Sequence, residues 1–130
     1  MTVFIVKPVH MNTVTLSVIE QKQVQHAAEL LEKNIQFPLT IPELAASTQL
    51  SESKLKKLFK QFYGIPLYRY LLTFRMKKAQ SLLLKDTPIK VISQTVGYRT
   101  ESNFCKAFRK ELGESPKKWL INKKQARRTA

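Results

Sequence analysis

Two short stretches of the chain concentrate the side chains able to engage a polyanion. Between Ser51 and Gly64, Lys54, Lys56, Lys57 and Lys60 alternate with Leu55, Leu58, Phe59 and Phe62. Between Thr100 and Gly113, Asn103, Lys106, Arg109 and Lys110 are interleaved with Phe104, Ala107, Phe108 and Leu112. At helical periodicity the apolar residues form one stripe, and the ammonium, guanidinium and amide groups cover the opposite face. A helix of that kind can lie in a major groove of duplex DNA, where base edges offer both acceptors and donors. The balance of charge agrees, with 23 Lys+Arg against 9 Asp+Glu and a net charge of +14. A charge so far from zero costs self-repulsion and implies a polyanionic partner, whether DNA, RNA or an anionic membrane surface.

Other chemistries have little to work with. Catalysis needs convergent groups such as paired carboxylates, a nucleophile beside a base, or a phosphate-cradling loop. The acids are scattered, and His10 and His26 have no Cys, Asp or His partner at metal-ligand spacing. The expectation is therefore no enzyme, no cofactor and no metal. Cys105 is the single cysteine, which excludes an intrachain disulfide framework and suits a reducing cytoplasm. It reads as a small neutral helix residue rather than a redox switch or a ligand. No apolar run approaches the roughly 18 residues of a membrane helix, and the N-terminus lacks the pattern of a secretory signal. A soluble cytoplasmic protein with no membrane partner is expected.

The elements that position the two stretches follow from caps and periodicity, and the fold class is all-α with seven helices. Ser17 with Glu20 and Thr40 with Glu43 have the spacing of capping boxes. Ser51 caps a third helix that ends at Gly64, and Pro66 opens a long fourth helix lasting to about Lys85. Thr87-Pro88, Thr100 and Ser115-Pro116 start three more. Residues 1–16 are rich in β-branched residues and read as a short extended N-terminal arm or linker remnant. The predicted organisation is that arm, a first helix-turn-helix subdomain at 17–66, and a linker helix at 67–85. A second helix-turn-helix subdomain at 86–122 and a basic C-terminal tail at 123–130 complete it, the tail expected to be disordered in the free protein.

The strongest internal signal is a repeat. Thr40–Leu71 resembles Pro88–Leu120 at an offset of 48 or 49 residues, one extra residue entering the second turn. Ile41 matches Ile89, Leu44 matches Ile92 and Leu50 matches Tyr98. Beyond the turn, Leu55 matches Phe104, Lys57 matches Lys106, Phe59 matches Phe108, Gly64 matches Gly113 and Tyr70 matches Trp119. Each copy is a short helix, a tight turn and a longer helix, which is the layout of a helix-turn-helix. The 20 residues from Pro66 to Lys85 span roughly 30 Å as a helix, close to the ~34 Å of one turn of B-DNA. A connector of that length can hold two reading helices in successive major grooves.

The run GYRTESNFCKAFRKELGESPKKW (Gly97–Trp119), with its GY pair, Phe104, Lys106, Phe108 and G-x-x-P-x-x-W ending, resembles the signature of the AraC/XylS family. RMKKAQSLL (Arg75–Leu83) resembles that family's linker helix, and the resemblance covers about residues 18–122. It implies sequence-specific binding of double-stranded DNA for transcription regulation, activation included. It also implies RNA polymerase as a further partner, and a sensing or dimerisation domain upstream. Carried over from the family, base contacts fall on Ser53, Lys56 and Lys57 in the first copy. In the second they fall on Glu101, Ser102, Asn103 and Lys106. Lysine suits guanine O6 and N7, asparagine suits adenine, and glutamate can accept from cytosine N4. Phosphate contacts are assigned to Ser51, Lys60, Arg75, Thr100 and Arg109. The sequence departs from the family at Gln49, where glycine is common, at Lys106, where arginine is usual, and at the acidic Glu101. The alternative is a non-specific polyanion-binding or protein-interaction helical domain.

Overall fold

The structure, a computed structural model, describes residues 16–129, and within them the chain forms seven α-helices and no strand. They are α1 (Val18–Lys33), α2 (Ile41–Thr48), α3 (Glu52–Tyr63), α4 (Leu67–Leu84), α5 (Ile89–Thr95), α6 (Glu101–Leu112) and α7 (Pro116–Thr129). The extended arm expected at 1–16 lies outside the described residues except for Leu16, which is buried in the core.

Helix starts sit where the capping residues predict. Ser17 and Thr40 each close a capping box, with the Glu20 and Glu43 carboxylates returning to the cap N–H at 3.0 and 2.9 Å. Ser51 and Thr100 accept from the third N–H of α3 and α6 at 3.1 and 3.0 Å, and Ser115 does the same for Lys118 at 3.2 Å. A side-chain cap of this kind satisfies a donor that the helix itself leaves orphaned, worth about 1 kcal/mol. Two helices begin differently: α4 follows Pro66, and α5 has Pro88 at the cap with no side-chain bond.

Contacts divide the chain into two compact units, Met1–Phe74 and Arg75–Ala130, the division falling inside α4. In the first, α1 packs on α2 and α3, and α2 on α3. Val24, Ala27, Leu31, Leu44, Leu55, Leu58, Phe59, Leu67 and Tyr70 form its core. Tyr70 stands edge-on to Phe59 at 5.3 Å between centroids and donates its hydroxyl to Glu32 Oε2 at 2.6 Å.

In the second unit α6 packs on α5 and α7. Met76, Ala79, Leu83, Ile92, Val96, Phe104, Phe108 and Trp119 are buried. A line of rings runs behind α6: Tyr98 to Phe104 and Phe104 to Phe108 at 5.8 Å each, then Phe108 to Trp119 edge-on at 6.0 Å. Edge-to-face and tilted pairs at such spacing add about 0.5–1.5 kcal/mol beyond their buried area.

The C-terminal residues depart from expectation. Instead of a disordered tail, α7 continues to Thr129. Two contacts hold its middle: the Lys123 ammonium lies 5.6 Å from the Trp119 ring centroid, and Lys124 Nζ bonds Asp86 Oδ1 at 2.7 Å. Both partners lie outside the tail segment, so composition alone could not reveal them.

Candidate nucleic-acid interface

The reading helices α3 and α6 share one register. Each begins at a hydroxyl cap, carries a glutamate at its first position, buries an apolar stripe and ends at a left-handed glycine, Gly64 or Gly113. Ser51 aligns with Thr100, Ser53 with Ser102, Lys57 with Lys106 and Lys60 with Arg109 at an offset of 49 residues. Burial of Leu55, Leu58 and Phe59 in one helix and of Phe104 and Phe108 in the other fixes which face remains outward.

That face carries the residues assigned from sequence. Ser51, Ser53, Lys56, Lys57 and Lys60 in the first unit are all exposed, as are Thr100, Glu101, Ser102, Asn103, Lys106 and Arg109 in the second. The cap hydroxyls of Ser51 and Thr100 use their oxygens as acceptors toward the helix, which leaves the O–H proton free to donate to a phosphate. At each helix start the positive end of the helix dipole favours negative charge. Glu52 and Glu101 occupy those first turns. There an acid stabilises the free helix, which gives Glu101 a structural reason independent of any cytosine.

Arg75 is placed differently from the other assigned residues. It is half-buried, with its guanidinium 5.3 Å from the Tyr98 ring centroid, and so joins the line of rings behind α6. Burial pushes the Tyr98 hydroxyl pKa up, while Arg75 pulls it back. Cys105 is also half-buried. Burial, and then the neighbouring Glu101 charge, raise its thiol pKa, which keeps it from being an activated thiolate. Among the described residues no group of three or more His, Cys, Asp or Glu could hold a metal ion. No described helix is long and apolar enough to cross a membrane.

Sequence reasoning missed two residues beside this face. Glu20 of α1 reaches Lys54 of α3, Oε2 to Nζ at 3.3 Å, and Gln61 lines the same open concavity as Ser53, Lys54 and Lys57. The sequence marks Glu20 only as the capping-box partner of Ser17, because it meets α3 only through the packing of α1 on it.

This arrangement defines a class, a two-unit helix-turn-helix protein with paired outward reading helices, and the comparisons with known proteins agree. A family model described as a helix-turn-helix domain matches residues 44–121. The lactose operon transcription activator of Staphylococcus xylosus is 35% identical over 112 residues, covering 82% of this chain and 40% of that protein. The C-terminal domain of AraT, a response regulator from Geobacillus stearothermophilus, superimposes with a TM-score of 0.69 at 33% identity, covering 82% of this chain and 87% of that one. A transcriptional regulator from Chromobacterium violaceum, described as containing an AraC-type DNA-binding domain, superimposes with a TM-score of 0.70 at 26% identity, covering 81% and 95%. The chain belongs to the AraC-type helix-turn-helix family, DNA-binding domains of transcription regulators and not enzymes. It spans less than half the length of curated relatives such as the staphylococcal activator.

Proposed function

We propose that the chain recognises an asymmetric duplex site of two adjacent segments, with α3 and α6 in successive major grooves. The observation that carries this reading is the common register of the two helices, whose N-terminal faces are exposed in both units. Ser53, Lys56 and Lys57 read one segment, and Glu101, Ser102, Asn103 and Lys106 read the other, by hydrogen bonds to base edges. Ser51, Lys60, Thr100 and Arg109 hold phosphates and set the register without reading sequence. Arg75 acts behind α6 through Tyr98, and its phosphate contact is the least direct of the set. In this organisation residues 17–66 and 86–122 are the two reading subdomains and 67–85 the connector.

The setting proposed for the domain is a cytoplasmic transcription activator that works with RNA polymerase and is governed by a sensing or dimerisation domain upstream. The named activity of the staphylococcal relative, activation of the lactose operon, supports activation over repression. The decisive experiment is selection of sites from a random duplex pool at about 0.15 M salt, where non-specific binding is weak, with Kd of about 10⁻⁴–10⁻⁶ M. Two short conserved segments about one helical turn apart are expected. A single segment would leave only one unit reading bases, and no segment would make the chain a non-specific polyanion binder.

A further inference from the structure

Glu20 divides its carboxylate between two helices. Oε1 accepts the Ser17 N–H at 3.0 Å and so completes the cap of α1, while Oε2 lies 3.3 Å from Lys54 Nζ on α3. The carboxylate is anchored within its own helix by the cap bond, and its side chain is the less exposed of the pair, at 26% against 54%. The Ser17 backbone bond, followed by Lys54, holds its carboxyl pKa below the usual range, so the charge persists at neutral pH.

The location matters as much as the pairing. Glu20 shares one open concavity of about 440 Å³ with Ser51, Ser53, Lys54, Lys57 and Gln61. A negative charge therefore stands beside the α3 side chains that face outward. The second unit has no lysine at this register, since Asn103 occupies the place of Lys54 and is exposed.

We propose that Glu20 is a positioning residue that holds Lys54 against α1 and withdraws one cation of α3 from the phosphate-contacting set. Sequence-independent affinity grows with each phosphate neutralised, so this tether lowers the grip of the first unit on DNA of any sequence. Binding by α3 is left to depend more on Ser53, Lys56 and Lys57. The inference rests on the reading that the exposed face of α3 meets DNA.

The test uses the full chain, a duplex of random sequence and a salt series from 0.05 to about 0.2 M. Glu20→Gln keeps the cap, because glutamine serves at that capping-box position, and circular dichroism checks that the helices persist. Expected is a gain in affinity of about two- to fivefold and a log–log salt slope steeper by about 0.9, the value for one added phosphate contact. In a Lys54→Ala background the same substitution should leave the slope unchanged. Lys54→Ala alone should alter binding little, whereas Lys60→Ala should make the slope shallower by about 0.9. No gain from Glu20→Gln, or an equal gain with and without Lys54, would overturn the tether while leaving α3 on DNA. If Lys57→Ala and Lys60→Ala both leave every duplex unaffected, the DNA-facing assignment of α3 fails first.

Discussion

Gln49 and Gly97 occupy the same corner of the two helix-turn-helix units, and both take a left-handed backbone, with φ of 60° and 95°. In each, the residue's own N–H reaches back three residues, Gln49 to Ala46 and Gly97 to Gln94, both at 3.2 Å. The following N–H reaches back five, Leu50 to Ala45 at 3.0 Å and Tyr98 to Ser93 at 2.8 Å. The turn geometry is thus repeated although the residue types are not. A left-handed non-glycine residue costs about 1–2 kcal/mol, and the extra freedom of glycine in the unfolded chain offsets about 0.4–1 of that. Gln49→Gly should accordingly stabilise the protein by about 0.5–1 kcal/mol in urea titration, and Gly97→Ala should destabilise it by about the same amount. A Gln49→Gly variant no more stable than the wild type, beside a destabilised Gly97→Ala, would contradict the shared geometry.

The aligned lysines give a second prediction. Lys57 and Lys106 are exposed at matching positions of α3 and α6. Each replaced by alanine should relax base preference in one segment of a selected site, at a cost of about 1–3 kcal/mol for the preferred base. Uniform weakening on every sequence would make them phosphate contacts instead.

Alkaline pH should loosen the first unit. Burial, followed by the Glu32 and Glu29 charges, pushes the Tyr63 hydroxyl pKa up from 10.0 to about 12, and Tyr70 is raised in the same direction. The unfolded chain therefore releases these protons first. The contribution is fully present below about pH 10 and is lost as pH rises through 12. Urea midpoints should fall between pH 10 and 12, and the Tyr63→Phe variant should fall less steeply over that range. A variant with the wild-type slope would remove Tyr63 from the cause.

A fourth prediction concerns the line of rings. Phe108 is fully buried between Phe104 and Trp119, so Phe108→Ala should cost about 3–5 kcal/mol. Trp119, the single tryptophan, reports the loss directly in its emission on unfolding. A cost below about 1 kcal/mol would mean that the second unit repacks around the gap.

Much of the fold was legible because its signals are local. A hydroxyl followed three residues later by a glutamate, as at Ser17–Glu20 and Thr40–Glu43, fixes a helix start within one turn of chain. The stripe of Leu55, Leu58 and Phe59 fixes which face of α3 is hidden, and so which lysines remain outside. The left-handed Asp86, at φ 60°, escaped notice because no glycine marks it.

By itself, the sequence determined the all-α class, the duplicated unit and the outward faces of α3 and α6, since each follows from the period and spacing of nearby residues. Tertiary structure alone decided that Glu20 meets Lys54, that Tyr70 bonds Glu32, that Arg75 lies against Tyr98, and that Lys124 reaches Asp86 to hold α7. Those pairs join residues 23 to 38 apart in the chain. Only the burial of apolar stripes brings such distant residues together, and no local pattern of charge or polarity specifies the partner.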